Sequence, residues 1–107
     1  MRPGIERTVA RMVRRIVKRF SPEKVILFGS HARGRAGPDS DVDLLVVMQY
    51  RGTKADTELE LLRTLSEYRI PKDVIVTTPE EFAWRKEIAG TIERPAAREG
   101  RVLFEKP

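Results

Sequence analysis

The sequence predicts a small α+β protein, an α/β two-layer arrangement with helices packed on a short sheet. Three observations carry this. Short β-branched runs alternate with stretches in which apolar residues recur every three or four positions. Cysteine is absent, so a hydrophobic core must close the fold without disulfides, and thiolate metal sites are excluded. A chain of 107 residues, 40% hydrophobic and 35% charged, suffices for one such core, read here as a single domain over 1–107.

Taken in order, Ile5, Val9, Met12, Val13, Ile16, Val17 and Phe20 form one stripe of an amphipathic helix over about 4–20. Arg7, Arg11, Arg14, Arg15 and Lys18 fall on its other side, and Ser21-Pro22 stops it. Lys24–Phe28 (KVILF) is a buried strand that ends in Gly29-Ser30. A second, central strand runs from Asp41-Val42-Asp43 through Leu44–Met48. After Gly52-Thr53, Leu59, Leu62, Leu65 and Tyr68 mark a second helix, and Pro71–Thr77 is a third strand. Thr78, Pro79 and Glu81 have the pattern of a helix start, with Phe82, Trp84 and Ile88 expected to pack along the helix. Pro95 makes 88–99 a broken or short helix, and Arg101–Glu105 completes the sheet.

The segment GSHARGRAGPDSDVD, residues 29–43, carries the chemistry. Gly29-Ser30 ends a strand and is expected to open a helix, where free backbone N–H groups face an anion. The Ser30 hydroxyl can add a hydrogen bond, and Arg33 and Arg35 lie nearby. On a strand, Asp41 and Asp43 share a face about 6–7 Å apart. Two carboxylates so placed raise each other's pKa unless a cation compensates, and all-oxygen donors select Mg²⁺ or Mn²⁺. Asp73, at the start of another strand, is the candidate third acid, able to bind metal and accept a proton from an attacking hydroxyl. Two-metal nucleotidyl or phosphoryl transfer needs this set of groups.

Gly29-Ser30, ten residues and then Asp41-Val42-Asp43 resemble the Gly-Ser-x10-Asp-x-Asp signature of the DNA polymerase β-like nucleotidyltransferase superfamily. Ala32-Arg33-Gly34, Ser40 and Leu44 narrow the resemblance to its minimal nucleotidyltransferase (MNT) group. It implies a small mixed sheet with helices on one side and metal-dependent transfer of a nucleoside monophosphate from an NTP to a hydroxyl. It also implies that Gly29 and Ser30 hold the triphosphate, with Arg33 and Ser40 as further nucleotide contacts. Asp41 and Asp43 would bind two Mg²⁺, with Asp73 as the third catalytic carboxylate and metal ligand. MNT proteins of this type act as antitoxins to a HEPN-domain toxin, by placing AMP from ATP on a tyrosine or by blocking the toxin. The implied partner is therefore a HEPN toxin.

Plainer roles are weighed beside these. Asp39 is a turn former after Pro38, and Ser40 hydrogen-bonds the turn that aims Asp41. His31, the only histidine, cannot build a histidine metal site and reads as an exposed polar residue or substrate contact. Arg33 either touches phosphate or pairs with an acid that fixes the loop. Tyr50 and Arg51 follow the second strand in a loop that could border the nucleotide.

A net charge of +5 and an isoelectric point near 10.0 favour polyanionic partners. Two rivals to the enzyme follow: a non-catalytic antitoxin that occludes its partner, and a nucleic-acid-binding protein using the arginine-rich first helix. Transfer to a small molecule is disfavoured because the short chain leaves little protein to enclose one. Neither a membrane-length apolar run nor a signal peptide is present, and the expected location is the cytoplasm.

Overall fold

The computed structural model describes residues 1–37 and 39–107. Its elements are α1 (Pro3–Phe20), β1 (Lys24–Phe28), β2 (Val42–Val47), α2 (Lys54–Thr64), β3 (Lys72–Thr77), α3 (Pro79–Arg85), α4 (Glu93–Glu99) and β4 (Arg101–Glu105). The expected turn role of Asp39 depends on Pro38, which lies outside the described residues.

Helix α1 forms where the apolar stripe requires it, with Pro3 in its first turn, where a missing N–H costs nothing. Ser21 ends it in the left-handed conformation, its N–H donating to Val17 O at 3.0 Å. Val9, Met12, Val13 and Ile16 are buried. At ~1.5–3 kcal/mol for each fully buried side chain, this stripe holds the helix to the sheet by roughly 6–12 kcal/mol of gross burial.

The sheet has the order β3-β2-β1-β4. Strand β1 is antiparallel to both β2 and β4, while β2 and β3 are parallel through the α2 crossover. The sheet is therefore mixed, and helix packing follows from its two apolar faces. Val25, Leu27, Val42, Leu44, Val46, Val74 and Val76 meet α1 and α2 on one side. Ile26, Leu45 and Val47 meet Phe82 of α3 and Ala96 of α4 on the other. The two long helices thus share one face as expected, and two seven-residue helices cover part of the second.

Three packing expectations change. Helix α2 buries Thr57 and Leu61, with Leu65 as its C-cap also buried, while Leu59 is 46% exposed. The inward stripe therefore runs at four-residue spacing from a threonine, which a search for leucines overlooks. Trp84 and Ile88 are 54% and 42% exposed, because α3 ends at Arg85 after turning only Phe82 to the sheet. The α3 start does match: the Thr78 hydroxyl accepts from Glu81 N–H at 3.1 Å. Pro95 sits in the first turn of α4, where it is tolerated. No helix among the described residues is long and apolar enough to cross a membrane.

Candidate active site

The C-terminal end of β1 and the N-terminal ends of β2 and β3 lie at the same edge of the sheet. Directly after β1 the chain makes a hydrogen-bonded turn. Arg33 N–H donates to Gly29 O at 3.1 Å and Arg35 N–H to Ser30 O at 2.9 Å. The helix expected after Gly29-Ser30 stops there, because Gly34 takes φ +70° and the chain must return to pair β2 against β1. The single turn keeps the property that mattered. Among the described residues, the N–H groups of Ser30, His31 and Ala32 have no backbone acceptor, which leaves donors suited to an anion.

Gly29 has φ +74° and lies against Asp43. A Cβ built on it would overlap Asp43 Oδ2. Asp43 sits second in β2, opposite Phe28 of β1 and in parallel register with Asp73 of β3. Paired residues in adjacent parallel strands point to the same face, so β2 and β3 bring these two carboxylates side by side. Asp41 stands just before β2 and is exposed; between it and Asp43, Val42 turns into the opposite, α1-facing core. The structure therefore brings Asp41, Asp43 and Asp73 to one end of the sheet beside Gly29-Ser30.

Electrostatics agree with that placement. Burial raises the pKa of the Asp43 carboxyl above its ordinary value, and the neighbouring charges of Asp73 and Asp41 raise it further. His31 and Arg33 nearby offset part of the rise. A cation that neutralised the group would relieve the strain, and the oxygen-only donor set suits a hard divalent ion. Among the described residues no group of three or more acidic or imidazole side chains is placed to hold a metal ion by itself. A site of one or two carboxylates completed by water and substrate phosphates fits Mg²⁺.

Ser40 orients this group. Its hydroxyl accepts from Gly37 N–H at 2.8 Å, and its own N–H donates to Gly37 O at 3.2 Å. The turn immediately before Asp41 is thus fixed, as the sequence suggested. Arg33 Nη1 lies 3.5 Å from Glu99 Oε2 of α4, which ties the turn to the rim of the fold. Of the two readings of Arg33, the structure displays the ion pair.

His31 departs from its sequence reading. It is only 5% exposed, and Nε2 lies 3.1 Å from the Ser40 carbonyl, which requires a proton on Nε2 because a carbonyl only accepts. Its Nδ1 is buried without a partner. The imidazole thus braces the 29–34 turn against the residue before Asp41. No local pattern marks this role, which depends on the loop folding back on itself. Tyr50 and Arg51 also depart from expectation: they follow the C-terminal end of β2, at the opposite end of the sheet from the acids, and Tyr50 packs against the α1-side core.

A second polar cluster escaped sequence reasoning. Glu93 is buried and accepts from the Thr77 hydroxyl at 2.8 Å and from Arg85 Nε at 3.0 Å. Burial pushes its carboxyl up, but hydrogen bonds from its own backbone, Thr77 and Arg85 outweigh that and hold its pKa below the ordinary value. The cluster ties β3 to α3 and α4 at the end away from Asp73.

A turn with free N–H donors and a set of carboxylates thus share one end of a small mixed sheet. The nucleotidyltransferase domain model matches residues 10–97, and the chain belongs to that family. It is 36% identical over 83 residues to the candidate protein adenylyltransferase MJ0604 of Methanocaldococcus jannaschii, covering 77% of this chain and 78% of the relative. Among solved structures, a candidate minimal nucleotidyltransferase superposes with a TM-score of 0.55 at 24% identity, over 94% of this chain and 95% of the other. A toxin–antitoxin crystallised with AMP-PNP superposes at 0.63 with 19% identity, over 91% of this chain and 73% of the other. The structural likenesses establish the fold, and family membership makes the chain a nucleotidyltransferase.

Proposed function

We propose that this nucleotidyltransferase moves AMP from ATP to a tyrosine hydroxyl of a partner protein, a HEPN-type toxin, and so acts as its antitoxin in the cytoplasm. One observation carries the proposal: Asp43 is held between Gly29 of the phosphate-side turn and Asp73 of the neighbouring strand. The relative named for protein adenylyl transfer supports a protein acceptor, and the toxin–antitoxin neighbour bound to an ATP analogue supports the pairing with a toxin.

In this reading the free N–H groups of the 30–32 turn and the Ser30 hydroxyl hold the triphosphate, with Arg33 at its edge. Asp41 and Asp43, joined by Asp73, are the residues that would hold two Mg²⁺ ions, or Mn²⁺. The bound metal supplies charge neutralisation and polarises the α-phosphate. Asp73 accepts the proton of the acceptor hydroxyl as its oxygen bonds to the α-phosphorus. The bond from that phosphorus to the bridging oxygen breaks, and pyrophosphate leaves. Ser40 and His31 fix the backbone immediately before Asp41.

The test is incubation of the purified protein with ATP, Mg²⁺ and a purified HEPN-domain protein of the same organism, followed by peptide mass spectrometry. AMP on a tyrosine, absent with the Asp41→Asn/Asp43→Asn variant, is the expected result. Inhibition of the toxin without any mass change would replace the proposal with inhibition by occlusion.

A further inference from the structure

β4 lies at the edge of the sheet, and α1 does not close fully over it. A groove of about 660 Å³ runs between them, floored by Ala10, Val13, Val17, Leu103 and Phe104. Arg14, Lys18 and Arg101 rim it. Arg101 reaches Glu6 at 3.9 Å, whereas Arg14 and Lys18 form no ion pair among the described residues. The neighbouring Arg15 and Arg19 do pair, with Glu67 just beyond α2 and Glu60 within it, whereas Arg14 and Lys18 are left facing the groove.

Position adds meaning to this division. Arg101 opens β4 opposite Leu27, two residues before Gly29, so one end of the groove begins at the end of the sheet that carries Asp41, Asp43 and Asp73. The apolar floor asks for an apolar stripe. The rim of Arg14 and Lys18, one helical turn apart, asks for carboxylates at matching spacing. A second copy would set the same cations against each other.

We propose that this groove docks an acidic amphipathic helix of the protein acceptor and thereby delivers its hydroxyl to the active site. The inference rests on the reading above that the acceptor is a protein, and it assigns the face that selects it.

Its test uses two fluorescein-labelled helical peptides with the same leucine stripe, one flanked by glutamates and the other by lysines. Fluorescence anisotropy at about physiological ionic strength follows their binding to the whole protein without ATP. The acidic peptide is expected to bind at least tenfold more tightly. Arg14→Glu/Lys18→Glu is expected to reverse the preference, a gain of binding that an unfolded variant cannot produce. Leu103→Glu should weaken both peptides.

A third arm measures AMP transfer to the purified acceptor protein. Acidic peptide should raise the KM for that acceptor without lowering kcat. Equal binding of both peptides, or of neither, overturns the inference. So does a wild-type dimer in sedimentation that the charge reversal dissolves, which would assign the groove to a second copy. Peptide binding without competition against the acceptor also overturns it. Because the binding arm needs no turnover, absent AMP transfer with normal peptide binding would count against the proposed reaction separately.

Discussion

Gly29→Ala tests the geometry of the site at its tightest point. Two penalties follow from the structure. A non-glycine residue at φ +74° costs about 1–2 kcal/mol. The added Cβ also overlaps Asp43 Oδ2, so the carboxylate must move. Displacement of a reacting group by about 1 Å can lower the rate by roughly 10²-fold. The expected outcome is a loss of order 2 kcal/mol in stability, near 10 °C in melting midpoint for a domain of this size, with a hundredfold fall in AMP transfer. A double-mutant cycle with Asp43→Ala separates the terms. Without the carboxylate the collision disappears, so Gly29→Ala should cost only the backbone part in that background, about 1 kcal/mol less than in the wild type. Calorimetry and initial-rate measurements supply the four corners. Additive stabilities, or an unchanged rate in Gly29→Ala, would refute the claim that Gly29 makes room for Asp43.

The raised pKa of Asp43 means that the folded protein binds protons more readily there than the unfolded chain. Its contribution to stability is full below the unfolded value and lost as pH rises through the folded one. Asp43→Asn should therefore melt a few degrees above wild type at pH 7, with the gain fading under acid titration, and Mg²⁺ should raise the wild-type midpoint more than the variant's. An Asp43→Asn midpoint below wild type across the whole range would contradict this. Glu93 has the opposite sign: its stabilisation is present above the unfolded pKa and is lost as pH falls through the lower folded one. Glu93→Gln should cost about 2 kcal/mol in urea denaturation at pH 7, with the difference narrowing in acid and little change in KM for ATP. For His31, the Gln variant keeps a donor near the Nε2 position and Leu does not. Leu should lower kcat by roughly 10–100-fold with only a modest change in KM, and Gln should restore most of it; equal activity in the two would remove the Ser40 brace from the account.

The sequence-level reading succeeded where local chemistry decides the outcome. Burial of Val9, Met12, Val13 and Ile16 is written in their spacing, and Thr78-Pro79 starts α3 because capping involves only near neighbours. The Gly-Ser turn and Asp-x-Asp segment were legible because their donors and carboxylates are close in sequence. Asp73 was nameable as a candidate, but its register with Asp43 depends on a parallel pairing made across α2, and no short window contains it. Burial of His31 and the Thr77–Glu93–Arg85 cluster likewise depends on contacts between distant segments. Trp84 and Leu59 misled because an apolar residue on a helix was assumed to face the sheet, whereas both are left outside by the lengths and rotations of α3 and α2.

A single site formed by the Gly29-Ser30 turn and the Asp41, Asp43 and Asp73 carboxylates should carry out nucleotidyl transfer. Parallel reactions with ATP radiolabelled at the α- or the γ-phosphate, using the purified acceptor and Mg²⁺, test it most directly. The expected result is an acceptor labelled from the α-phosphate only, pyrophosphate in equal amount, and no label with Asp41→Asn/Asp43→Asn. Label arriving from the γ-phosphate, or α-label persisting in that variant, would contradict it.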